Sequence, residues 1–146
     1  MSDAHVDPER AQFDAFKALD RDAPVEMLNL VRFRAEAAYP ADHPLHAAGL
    51  TGAEAYARYG EESGPVFRRV GGSIIWTAQF RVVLIGPGDE HWDAMFVARY
   101  PRAAAFLEMV TDPVYREAVK HRQAGVATSR LIRTLPGDGA PTDRFG

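Results

Sequence analysis

The stretch Trp92 to Leu135, WDAMFVARYPRAAAFLEMVTDPVYREAVKHRQAGVATSRLIRTL, decides the fold. Residues 93–100 read as a strand, and Tyr100-Pro101 turns the chain. Ala105, Phe106 and Met109 then recur at helical spacing across 101–110. Asp112-Pro113 stops that helix and opens a second one over 113–123, since Asp accepts from first-turn N–H groups and Pro fits the first helical position. Val114, Tyr115, Ala118 and Val119 are its apolar positions, Gly125 is the expected C′ residue, and 126–135 is a closing strand. Strand, broken helix, strand is the second half of a split β-α-β unit.

Upstream, the first half has the same order. Val25 to Arg34, VEMLNLVRFR, is a strand apolar on both faces and therefore expected to be covered on both. Thr51 and Glu54 form a capping box. Tyr56, Tyr59, Ser63, Val66, Phe67 and Val70 follow at three- and four-residue steps, with a kink or break expected at Gly64-Pro65 and an end at Gly71-Gly72. Residues 73–85 alternate as one long strand, 86–90 turn, and residues 93–100 return antiparallel. The long connection 35–50 is of a length that suits a lid or binding segment better than a linker. Asp7-Pro8-Glu9 opens a preliminary helix carrying Phe13, Phe16 and Leu19.

The reading is thus α+β, ferredoxin-like β-α-β-β-α-β with an extra N-terminal helix and a four-stranded antiparallel sheet. Residues 1–24 form the helical extension, 25–135 the domain and 136–146 a flexible Gly/Pro/Asp tail. Helices on one face leave the other apolar face uncovered, and a homodimer is the economical cover.

Composition narrows the functions. The net charge is −3 with no Lys/Arg run, so a phosphate-backbone partner is not expected. There is no cysteine, hence no disulfide framework and no thiolate chemistry. No apolar run is long enough to span a bilayer and nothing resembles a signal peptide, which points to a cytoplasmic protein with no membrane partner.

MLNLVRFR (Met27 to Arg34), the Tyr56/Tyr59 helix ending in Gly71-Gly72, Trp92-Asp93, and Tyr100-Pro101 through Phe106-Leu107, Met109, Asp112-Pro113 and Tyr115 resemble an uncharacterised branch of the dimeric α/β-barrel superfamily. Distant relatives there include cofactor-independent antibiotic-biosynthesis monooxygenases, muconolactone isomerases, haem-degrading oxygenases and chlorite dismutases. The resemblance implies two sheets packed face to face and a small-molecule pocket between sheet and helices. It does not fix the chemistry. Haem-degrading relatives use a first-strand Asn with a Trp and a His. Asn29 looks similar in position, but the helix over 101–110 has no His, which departs from that pattern.

Each candidate site residue has a structural alternative. Asn29, mid-strand among apolar residues, either orients a substrate or bonds a neighbouring loop. Trp76 and Trp92 either flank a flat ligand or pack, Trp76 in the core and Trp92 at an edge. Tyr56 faces the sheet and either joins the core or turns its hydroxyl to a ligand. Arg32 and Arg99 lie in strands expected to be covered, so each needs a carboxylate (Asp93, Glu26) or a bound anion. His121, near a helix C-terminus, suits the helix dipole and is also the best-placed general base. His43 and His46 lack a third ligand, so no metal is assigned.

Three functions stay open: a cofactor-independent oxygenase or isomerase acting on an aromatic or carboxylated metabolite, a non-catalytic metabolite binder, or a structural homodimer. In the first, Asn29 and Tyr56 orient the substrate, Arg32 or Arg99 holds its anion, Trp76 flanks it and His121 moves a proton.

Overall fold

The computed structural model describes residues 4–137 and 145; most of the expected 136–146 tail lies outside them. The chain runs α1 (Arg10–Ala18), β1 (Val25–Phe33), α2 (Gly52–Arg69), β2 (Ser73–Ala78), β3 (Ala94–Tyr100), α3 (Ala103–Thr111), α4 (Pro113–Gly125) and β4 (Val126–Thr134). The strands form one sheet in the order β2-β3-β1-β4, and every neighbouring pair is antiparallel. That is the ferredoxin-like arrangement expected from the element order.

The helices cover one face. Val25, Met27, Ala98 and Tyr100 of the sheet meet Val66 and Val70 of α2, Ala103, Ala105 and Met109 of α3, and Tyr115 of α4. Local chemistry sets the helix ends. Thr51 and Glu54 close the capping box with bonds of 2.9 and 3.1 Å. Asp112 Oδ1 accepts from the Val114 N–H at 2.7 Å, and its other oxygen holds Arg69 at 2.9 Å. The bond from Arg69 keeps the Asp112 carboxyl below its ordinary value. Gly71 ends α2 at φ +92°, a conformation that favours glycine.

Several elements differ from expectation. Helix α2 runs unbroken through Pro65: one missing N–H is outweighed by the apolar side that Ala55, Val66 and Val70 bury. Helix α1 starts at Arg10, because Asp7 leaves the cap position to accept from Gln123 Nε2 at 3.0 Å. Gly125 is helical rather than left-handed. It is small because an added Cβ would stand 2.6 Å from the Gly52 carbonyl oxygen, where α2 and α4 touch backbone to backbone.

The largest difference is in β2. Its ladder ends at Ala78 opposite Met95, because β3 only begins at Ala94, so residues 79–85 have no partner strand among the described residues. Val82, Leu84 and Ile85 consequently stand open to solvent. The first strand is also covered on one face only. Glu26, Leu28, Leu30 and Arg32 share the other face with Met95, Val97, Arg99, Arg130 and Ile132, as the registers require. No helix among the described residues is long and apolar enough to cross a membrane.

Candidate functional site

The 35–50 segment is pinned along the end of α4. Ala38 N–H donates to the Ala124 carbonyl at 2.8 Å, Ala37 N–H to Leu50 at 2.9 Å and Arg34 N–H to Gly125 at 2.8 Å. This anchoring carries Tyr39 inward to pack with Ala55 of α2 and Ala124 of α4. There its hydroxyl lies 2.7 Å from His121 Nδ1, and His121 Nε2 lies 2.9 Å from Glu62 Oε2. Tyr39 and His121 are buried, at 5% and 6% exposure, whereas the Glu62 side chain is 45% exposed.

The two contacts suit one tautomer of a neutral imidazole beside an ionised carboxylate. An ionised carboxylate only accepts, so Nε2 of a neutral His121 carries its proton toward Glu62. Nδ1 is then the acceptor for the Tyr39 hydroxyl. In such an arrangement the carboxylate can orient the ring and the imidazole can receive the proton of the phenol. Carboxylate, imidazole and hydroxyl in that order follow the logic of a catalytic triad, with phenol in place of alcohol. Burial holds the Tyr39 phenol above its ordinary value; Arg58 pulls the other way and Glu62 adds to the rise. The phenol therefore keeps its proton at neutral pH unless His121 takes it.

His43 roofs the pair. Its ring stacks on Tyr39 with centroids 4.6 Å apart and meets His121 edge-on at 5.8 Å. His46 Nδ1 bonds the Tyr39 carbonyl oxygen at 2.8 Å, which fixes the backbone of the same residue. Both histidines thus belong to the covering segment. Among the described residues no cluster of three or more His, Cys, Asp or Glu side chains could hold a metal ion.

The other sequence-derived candidates do not converge here. Asn29 Nδ2 donates to the carbonyl of Met27 in its own strand at 3.0 Å, a structural use of the amide. Tyr56 rests on Phe33 and Tyr59 within an aromatic layer between α2 and the sheet. Burial raises its hydroxyl well above the phenol range. Arg99 has the carboxylate expected for it, Glu26 at 3.2 Å. Asp93 serves neither arginine: its Oδ2 accepts from the Phe33 N–H at 2.7 Å at the end of the β1–β3 ladder.

Arg32 is exposed, because no layer among the described residues lies over the second face of β1. The two tryptophans exchange the surroundings expected of them. Trp76 is 46% exposed on the open face, and Trp92 is buried with the Arg130 guanidinium 5.6 Å from its ring. Of the named candidates, only His121 belongs to the polar cluster. Tyr39 and Glu62 were not singled out in the sequence. Their signals were faint: a Tyr-Pro step inside a long connection, and a Glu four residues after Arg58 on an otherwise amphipathic helix.

Comparison with known proteins gives a family without an activity. No curated protein matches. The chain is similar to the crystal structure of RPA0582, a protein of unknown function from Rhodopseudomonas palustris, at 58% identity and a TM-score of 0.85, covering 92% of this chain and 98% of that one. It matches the structure of methylated RPA0582 at 56% identity and TM-score 0.87, covering 94% and 98%. A dimeric protein of unknown function and ferredoxin-like fold from Bacteroides fragilis aligns at 12% identity and TM-score 0.45, over 77% and 95%. Residues 46–134 match the model of the Domain of unknown function (DUF1330), and the chain belongs to that family.

Proposed function

We propose that Tyr39, His121 and Glu62 form a proton-transfer centre acting on a small molecule admitted beneath the 35–50 segment. The observation that carries this is the buried imidazole bonded on both sides, to a phenol at 2.7 Å and a carboxylate at 2.9 Å. A satisfied network of this kind also rigidifies a core when it is purely structural. This one is arranged so that a proton leaving Tyr39 is received at Nδ1 while Glu62 stabilises the resulting imidazolium. With its proton on Nδ1, the Tyr39 phenolate can take a proton from the substrate and, as the phenol so formed, return it at a second position, while the imidazolium gives the first proton back to Tyr39 when the site empties. Isomerisation of an aromatic or carboxylated metabolite needs no more than such a relay. Removal of a phenolic or enolic proton before attack by dioxygen needs the same step. His43 lies on the approach to both rings, so entry requires the segment to lift away.

A screen of phenols, quinols, aromatic acids and lactones by thermal shift tests this. A ligand at about one hundred times its dissociation constant adds about 2.7 kcal/mol. The expected result is a stabilising ligand whose turnover falls about 10²- to 10⁴-fold in His121→Gln, with Tyr39→Phe similarly impaired and Arg116→Gln unaffected. Full turnover in Tyr39→Phe and His121→Gln would refute the assignment.

The working form in this reading is a homodimer, supported by apolar surface the chain itself leaves uncovered. Leu28, Leu30, Val97, Trp76 and Ile132 lie on the open sheet face. Leu84 and Ile85, 90% and 93% exposed, stand on the unpaired extension of β2. An exposed, β-prone, apolar extension is an aggregation hazard unless another chain covers it. Light scattering at micromolar concentration is expected to give twice the 16.1 kDa chain mass, and Leu84→Asp with Ile85→Asp to reduce it to one chain. A wild-type mass of one chain would contradict the dimer.

A further inference from the structure

We infer that the hollow at the far end of the β1–β4 pair is an oxyanion site, binding the carboxylate or phosphate of a small molecule through Arg32 and Arg34. The inference stands apart from the Tyr39 relay and does not rest on it. Strands β1 and β4 pair regularly from Glu26 opposite Thr134 to Arg32 opposite Thr128. The register then shifts, Phe33 stands opposite Val126, and Ala127 becomes the extra residue. The bulge falls on β4 and bends that strand, while β1 keeps its alternation. Phe33 turns to the helix side, where its ring lies 5.1 Å from that of Tyr56. Arg32 and Arg34, flanking it in an extended chain, therefore share the opposite side.

The backbone at this point is already satisfied. Phe33 N–H is held by Asp93 and Arg34 N–H by the Gly125 carbonyl. The side chains, not the main chain, carry the available hydrogen-bonding capacity. They line a concavity of about 620 Å³ with Ala127, Thr128 and Glu36, within the size of small-molecule sites.

Charge supplies the specificity. Several other arginines are engaged: Arg69 by Asp112, Arg99 by Glu26, Arg122 by Ser129 and the Val6 carbonyl, Arg133 by the Phe16 carbonyl. Among the described residues, neither Arg32 nor Arg34 has an ion pair with an acidic side chain. Among the described residues Glu36 is the one acid in the lining, which leaves a positive excess there. Guanidinium is permanently charged and presents planar pairs of donors that match two oxygens of a carboxylate or phosphate. Two such groups, one near the end of β1 and one just beyond it, form a clamp for an oxyanion, and the open mouth leaves the rest of the molecule free to project.

Arg32 also lies at the end of the open sheet face, so acidic side chains of a second copy are the competing occupant. Inorganic phosphate and benzoate are the probes, titrated separately at constant ionic strength into the full chain and followed by backbone amide NMR. Saturable shifts are expected at the amides of residues 32–36 and 126–129. Arg32→Gln with Arg34→Gln is expected to weaken binding at least tenfold with the spectrum otherwise folded, and Arg68→Gln, on the exposed side of α2, to leave it unchanged. Preference for benzoate identifies a carboxylate ligand and preference for phosphate a phosphorylated one; either supports the site. It is overturned if neither probe saturates, if the double variant titrates like the wild type, or if the double variant separates a dimer while the wild type binds neither probe.

Discussion

Above pH 10 the protein is expected to lose stability steeply and unfold as its buried tyrosines ionise together. Tyr100 and Tyr115 are buried in the core between sheet and helices. Burial is the main cause that raises both phenols above their ordinary value of 10.0. Tyr56 and Tyr59, less completely covered, are raised for the same reason. The Tyr115 hydroxyl lies 2.8 Å from that of Tyr59, so the two meet inside the helix layer. A raised phenol favours the protonated form of the fold. Below pH 10 folded and unfolded chains both keep these protons, and the contribution is intact. Above it the unfolded chain releases protons that the folded chain retains, so stability falls as pH rises toward the folded values. Each retained proton contributes about 1.4 kcal/mol per pH unit. Tyr100 and Tyr115 alone give about 3 kcal/mol per unit, a large share of the total stability of a typical domain, and the other two add to it. Urea unfolding at successive pH values, read beside phenolate absorbance, is expected to show one coincident transition. Tyr100→Phe should flatten the slope by about one proton. Gradual ionisation without unfolding would show that the layer is wetter than described.

The second large effect is expected at Gly52 and Gly125. The end of β1, the start of α2 and the end of α4 meet there through their backbones. A Cβ on Gly125 would lie 2.6 Å from the Gly52 oxygen and 3.1 Å from the Ala55 Cβ; one on Gly52 would collide with the Arg34 carbonyl. These neighbours are main chain or short side chains pinned by the Arg34–Gly125 bond, so they cannot swing aside. Overpacking of this kind costs roughly 1–3 kcal/mol and sometimes more. Gly52→Ala is expected at the upper end, about 3 kcal/mol or above, with a melting temperature lowered by about 10 °C. Gly60→Ala, where an added Cβ meets nothing within 4 Å, is the control and should be neutral or stabilising. A Gly52→Ala protein as stable as the wild type would contradict the backbone contact. Because the same junction anchors the 35–50 segment, Gly125→Ala should also loosen Tyr39.

The sequence was most legible where one residue type answers to one local need. Asp112-Pro113 announced a helix start, and Thr51 with Glu54 announced another; both caps are present with the bonds expected of them. The strand order followed from the element order. What misled was pattern without partner. Residues 79–85 alternate as a strand does, yet pairing is a property of two chain segments and no second one lies beside them among the described residues. Gly64-Pro65 reads as a break, yet burial of the α2 stripe carries the helix through. Gly125 reads as a terminator, yet its lack of a side chain serves a contact with a residue 73 positions earlier. The polar cluster was only partly visible for a similar reason. His121 was identifiable as a candidate base, but its partners come from a long connection and from a helix four elements earlier. No local spacing links Tyr39, Glu62 and His121; the fold alone brings them together.

The most direct test of the proton-transfer reading is solvent exchange. The protein is incubated in deuterium oxide with each ligand that stabilises it, and incorporation of deuterium at the ligand's acidic carbon or ring position is followed by NMR. The expected result is catalysed exchange by the wild type that His121→Gln and Tyr39→Phe reduce about 10²-fold or more, while Glu62→Gln, which keeps the ring in place without its charge, reduces it less. Exchange with a bound ligand that proceeds equally in wild type and His121→Gln, or at the uncatalysed rate in both, would contradict the relay and leave the Tyr39–His121–Glu62 cluster as a clasp for the 35–50 segment.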